Sequence, residues 1–269
     1  MEAAAAVLPV PEDAEVVPVD AGGVAAEWVS APAVDDGRHL LYLHGGAYTQ
    51  GSLATHRGLV ARLSAATRAR ALHVDYRLAP ESPHPAAVED ATAAYRWLVG
   101  GGADPAGVVV AGDSAGGGLA VVTLVALRDA GDPHPGGAVL LSPWVDLGLT
   151  GESATTKASV DPMITVERLR ASAEAYAGRA GVDHPLVSPL HADLAGLPPL
   201  LVLVGTAEVL LDDATRLAER ARGARVHVDL EAWDDLIHVW PAFAPMVPEA
   251  VEAITRVGAW VRTLAPRAS

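Results

Sequence analysis

Four short runs in the chain, at 39–43, 107–111, 138–141 and 200–204, are almost wholly apolar in their centres. Each is too short for a buried helix, and each fits a strand covered on both faces, as a parallel sheet demands. Three further strand candidates lie at 24–29, 71–76 and 226–232. Between them run amphipathic helical patterns at 55–67, 86–99, 114–129, 212–222 and 248–264. This alternation argues for βα units around a mostly parallel central sheet flanked by helices, an α/β architecture. The chain's 269 residues suit one such domain spanning 1–269.

One region breaks the alternation. From 146 to 199 there is no convincing strand, only a helical stretch near 165–178 among loops rich in Pro, Asp and Ser. So long an excursion reads as a lid insertion over the carboxyl ends of the strands, where open α/β sheets place their ligands. Residues 1–18 hold three prolines and no amphipathic period, and read as a short extension ahead of the sheet.

Composition closes off several classes. With no cysteine, disulfide scaffolds, thiol catalysis and cysteine-based zinc sites are excluded. No run approaches the length of a membrane span. A net charge of −14 repels nucleic acid and anionic lipid. The first positive side chain is Arg38, so a secretory signal is not expected and the cytoplasm is the default compartment. Asp183, His184, His191 and Asp193 fit no standard ligand spacing, and no metal is expected.

The chemistry concentrates at Gly112-Asp113-Ser114-Ala115-Gly116, which follows an apolar strand and opens a helix. Small residues there permit a sharp turn that lifts Ser114 Oγ from the sheet, with a helix N-terminus behind it. A nucleophilic serine needs a base, and the base needs an orienting acid. In this architecture the order is Ser, acid, His. Glu208 is the first acid past the strand 200–204. Only His227 and His238 follow it; His227 falls inside a strand, and His238 in the loop beyond. Asp212 and Asp213 are the competing acids, but their place at a helix start suits amide capping. A tetrahedral intermediate also needs amide donors. These are expected from Gly45, Gly46 and Ala47, after the strand 39–43, and from Ala115. Tyr48, Asp113, Trp144 and Trp240 stand beside these motifs and are expected to line a substrate pocket.

Together these pieces resemble the bacterial hormone-sensitive-lipase-like (family IV) esterases of the α/β-hydrolase superfamily. His44-Gly45-Gly46-Ala47-Tyr48 resembles their oxyanion loop, and Gly112 to Gly117 their nucleophile elbow. Asp75 to Glu81 resembles a third hallmark, read as support for the loops around the site. Gly205 to Glu208 fits the family's G-x-x-[DE] acid pattern. The resemblance implies a Ser114–His238–Glu208 triad acting as a carboxylesterase on short- to medium-chain acyl esters, with no cofactor. A lactone hydrolase or a deacetylase of an acetylated natural product would use the same triad; a non-catalytic small-molecule receptor would have lost the histidine. The expected partner is a small ester, with no nucleic acid or membrane, and a homodimer through the last helix is open. Three departures from the family pattern matter. Ala47 replaces a third glycine, which is harmless unless that position requires positive φ; Glu208 replaces the commoner Asp; and the usual pair of N-terminal cap helices has no counterpart, implying a shortened cap.

Overall fold

The computed structural model describes residues 9–244 and 246–264. Its strands are β1 (Glu15–Asp20), β2 (Ala25–Ser30), β3 (Asp35–Leu43), β4 (Ala69–Val74), β5 (Val108–Asp113), β6 (Gly137–Leu141), β7 (Leu200–Gly205) and β8 (Val228–Trp233). Its helices are α1 (Leu53–Thr67), α2 (Ala86–Gly100), α3 (Ala115–Ala130), α4 (Ser153–Thr156), α5 (Val166–Ala177), α6 (Leu211–Gly223) and α7 (Pro248–Thr263). The strands form one sheet in the order β1-β2-β4-β3-β5-β6-β7-β8. β2 pairs antiparallel with β1 and β4, and every other pairing is parallel.

Every residue of β5, β6 and β7 is buried, which explains why their sequences carry no polar alternation. Successive side chains still divide between two cores, as the pleat dictates. Leu41, Leu43, Val108, Val110 and Val202 join a cluster with α2, α3 and α6. Leu40, Tyr42, Val109, Ala111 and Leu203 join a second with α1 and α7. Each of the leucines and valines among them contributes about 1.5–3 kcal/mol on burial.

The extension expected at 1–18 is corrected by the structure. Residues 1–8 lie outside the described residues, but 15–18 belong to β1, an edge strand in register with β2 from Glu15↔Ser30 to Asp20↔Ala25. Most of β1 is exposed or half-buried, so it shows no apolar run, and Pro18 at its centre is tolerated because the strand lies at the edge.

The segment 146–199 contains no strand, and of α-helix only α4 and α5. It is tied to the sheet side of the molecule at its start. The Asp213 carboxylate, in the first turn of α6, accepts from the amides of Val145 and Asp146, both at 2.8 Å. Asp212 accepts from Ser153 N at 2.8 Å. These two carboxylates therefore do not cap their own helix as expected; they cap the neighbouring segment. No helix among the described residues is long and apolar enough to cross a membrane.

Candidate active site

β5 delivers Ser114 to the carboxyl edge of the sheet, and α3 begins at the next residue. Ser114 adopts φ 52°, ψ −120°, a conformation that costs a non-glycine residue on the order of 1–3 kcal/mol. The surroundings fix it there. Its N–H donates to Leu141 O at 2.9 Å, and its carbonyl accepts from Gly118 N at 3.1 Å and Trp144 N at 2.9 Å. Gly116 explains the last position of the motif: a Cβ there would lie 2.0 Å from Leu43 O, so only glycine lets α3 pass so close to β3.

Two strands away, the loop after β7 holds Glu208 and the loop after β8 holds His238, both buried. His238 Nδ1 donates to Glu208 Oε2 at 2.8 Å. The other carboxylate oxygen accepts from Gly205 N at 2.6 Å and from Ser142 Oγ at 2.8 Å. Ser142 Oγ in turn accepts from Val239 N at 3.1 Å, joining the acid to the backbone beside the histidine. Burial opposes a charge on His238, but the hydrogen bond and charge of Glu208, helped by Asp161 and Asp113, outweigh it and hold the imidazole above its ordinary pKa. Nothing in the sequence singled out Ser142, although it directly follows β6, beside the end of β7.

The glycine loop after β3 is shaped by Asp113. Oδ1 of Asp113 accepts from Gly45 N at 3.0 Å and Tyr42 OH at 2.7 Å. Gly45 is thereby removed from the expected set of oxyanion donors: its N–H is already spent on a carboxylate. Glycine is required there because a Cβ would meet Asp113 Oδ2 at 2.2 Å. The amides of Gly46, Ala47 and Ala115 donate to no protein acceptor among the described residues and remain available. Ala47 has φ 54°, so this position does sit in the left-handed region, and alanine bears there a strain of about 1–2 kcal/mol. His44 is fully buried, its Nδ1 bonded to Gly45 O at 2.7 Å and its ring stacked on Tyr76. Tyr76 OH donates to His44 O at 2.7 Å, so the Asp75–Glu81 motif does brace this loop.

Ser114, His238, Gly46 and Ala47 all face one cavity of about 520 Å³, within the range of small-molecule sites. Its apolar walls come from Leu59 of α1, Met163, Ile164 and Leu169 of the 146–199 segment, and Phe243 and Met246 beyond β8. Asp113 lines it as expected, but Tyr48, Trp144 and Trp240 do not. Tyr48 is fully buried, stacked on Tyr176 with centroids 3.7 Å apart. Trp144 is fully buried and donates from Nε1 to Asp146 O at 3.1 Å. Trp240 packs on Trp233 in the α1–α7 core. All three side chains point into the cores and not into the cavity.

An elbow after β5, an acid after β7, a histidine after β8 and a glycine loop after β3, all on one sheet edge, define the class of α/β hydrolases. The family model for the alpha/beta hydrolase fold matches residues 40–242, and the chain belongs to that family, as its resemblance to the bacterial hormone-sensitive-lipase-like esterases implied. It is 51% identical over 245 residues to an acetyl-hydrolase of Streptomyces hygroscopicus, covering 91% of this chain and 82% of that one. It is 36% identical over 251 residues to an esterase of Acinetobacter venetianus, covering 93% and 82%. Among solved structures, it is similar to an esterase from the bacterial hormone-sensitive lipase family, at 50% identity and TM-score 0.96, covering 98% of this chain and 89% of that one.

Proposed function

We propose that the protein is a serine carboxylesterase in which Ser114 is the nucleophile, His238 the general base and acid, and Glu208 the orienting acid. The observation that carries this reading is that Ser114 and His238 face the same cavity, while Glu208 is hydrogen-bonded behind the imidazole at 2.8 Å. Neutral His238 takes the Ser114 proton at Nε2 as Oγ attacks the ester carbonyl. Glu208 fixes the tautomer with Nδ1–H and stabilises the imidazolium that forms. The amides of Gly46, Ala47 and Ala115 hold the oxyanion of the tetrahedral intermediate. His238 then protonates the leaving alcohol, and water repeats the sequence on the acyl-enzyme to release the acid.

The cavity bears on the substrate class. Its apolar walls suit the acyl chain of an ester, and we take short and medium chains as the range. The relative named acetyl-hydrolase supports the short end of that range, including acetyl esters of larger alcohols. Rates on a series of p-nitrophenyl esters test the proposal. We expect acetate, butyrate or hexanoate to be preferred and palmitate to be turned over poorly; a preference for emulsified long-chain triglyceride would contradict it.

A further inference from the structure

Asp113, which is buried, and His56, which is half-buried on the wall of the same cavity, form a pair beside the nucleophile that the reaction above does not use. His56 lies near the start of α1, and its Nε2 stands 3.3 Å from Asp113 Oδ2. Its Nδ1 lies 2.7 Å from Thr55 Oγ1. Thr55 Oγ1 also lies 2.8 Å from Ser52 O, an acceptor for its proton, which leaves a lone pair for a His56 Nδ1–H. An imidazolium satisfies both contacts at once, with Nδ1–H on Thr55 Oγ1 and Nε2–H on Asp113 Oδ2. The charges agree with that geometry: burial opposes them, but each partner outweighs it for the other, raising His56 above its ordinary pKa and lowering Asp113 to about 2. Around the pair, His44 is stacked on His56 and held neutral by burial at a pKa of about 3, and His73 is likewise lowered. The only cation bonded to the Asp113 carboxylate among the described residues is His56.

We propose that His56 is a positioning residue for ester hydrolysis: it locks the Asp113 carboxylate, which grips the Gly45 amide and so keeps the next two amides of the loop, Gly46 and Ala47, aimed at the oxyanion. Three donors, Tyr42, Gly45 and His56, converge on that one carboxylate. Removing the His56 arm leaves Oδ2 unheld, so the carboxylate can turn about Oδ1 and loosen its grip on Gly45. A second effect acts in the same direction. Asp113 immediately precedes Ser114, and an uncompensated carboxylate so close would repel the oxyanion the loop is built to stabilise; the imidazolium offsets that repulsion. Donor placement matters steeply in such sites, where a displacement near 1 Å costs about 10²-fold in rate.

The inference rests on the reading of Ser114 as nucleophile. It is tested with two neutral amides that differ by one methylene. The Nε2 of Gln stands as many bonds from Cβ as the imidazole Nε2, whereas Asn falls short of Asp113. With p-nitrophenyl butyrate, His56→Asn is expected to lower kcat about 10²-fold and leave KM within about threefold. Affinity for a trifluoromethyl ketone, which presents the oxyanion, should fall by the same factor as kcat/KM. His56→Gln should restore kcat to within about tenfold of the parent. The proposal is overturned if His56→Asn keeps the parent kcat, if only KM changes, or if Gln is no better than Asn. Should His56→Asn not fold, His56→Gln decides: kcat within about tenfold of the parent, with any loss matched in ketone affinity, supports the proposal, and a larger loss, or one not matched in affinity, overturns it. Activity surviving in Ser114→Ala would strike the catalytic reading itself, whereas a dead Ser114→Ala beside a fully active His56→Asn strikes this inference alone.

Discussion

Oε2 of Glu208 lies 2.8 Å from Nδ1 of His238, in a buried contact where the acid's other oxygen is also engaged. Glu208→Gln keeps the shape but removes the charge that stabilises the imidazolium and fixes its tautomer. We expect kcat on p-nitrophenyl butyrate to fall by roughly 10²–10⁴-fold. Asp212→Asn, whose carboxylate serves Ser153 N, should leave kcat within about threefold. The reverse ranking would move the acid to Asp212.

Ser142 ties this arrangement together, donating to Glu208 and accepting from Val239 N. Ser142→Ala leaves a buried amide without an acceptor and the carboxylate with one donor fewer. Denaturant unfolding should show a loss of about 1–3 kcal/mol, and kcat should drop about tenfold as Glu208 loosens. Unchanged stability and rate would mean that Gly205 and His238 hold the acid without Ser142.

The pH dependence of kcat/KM follows from the state that His238 must adopt. The base works only when neutral, and its pKa in the folded protein is held above the ordinary 6.5 by Glu208. Activity should therefore rise with pH through a value above 6.5. In Glu208→Gln the largest raising influence is gone while burial remains, so the acid limb should move to lower pH even as the plateau drops. A limb that stays in place would show that another group titrates there.

Asp213 makes an opposite kind of prediction, about stability. Burial, partly offset by the amides of Asp146 and Val145, pushes its carboxyl up to about 8. The folded state then holds a proton that the unfolded chain has lost, between the ordinary 3.8 and about 8. Its contribution is fully present below pH 4 and declines as pH rises toward 8, by on the order of a few kcal/mol. Asp213→Asn can still accept both amides and does not titrate. Its melting temperature should be flatter than the parent's across that interval, and higher at pH 8. A parent curve equally flat would contradict the raised pKa.

Much of this site was legible because backbone demands write themselves into sequence. β5 had to be apolar on both faces, and Gly112 and Gly116 had to be small where α3 crosses β3. Chain order then left few choices for acid and base. What stayed hidden depended on side-chain direction and on contacts far apart in sequence. Tyr48, Trp144 and Trp240 occupy the expected edge yet point inward, and the position of a residue along a strand end does not say which way its ring turns. Gly45 was grouped with its neighbours because nothing local shows that Asp113, 68 residues on, takes its N–H. β1 escaped because an edge strand needs neither a continuous apolar run nor freedom from proline.

The most direct test of the central claim is stoichiometric labelling with a fluorophosphonate followed by peptide mapping. The phosphonyl group should be found on Ser114 alone, one per chain, and Ser114→Ala should take up none while losing roughly 10⁴–10⁶-fold in kcat. A label on another residue, or Ser114→Ala turning over esters within about tenfold of the parent, would contradict the account.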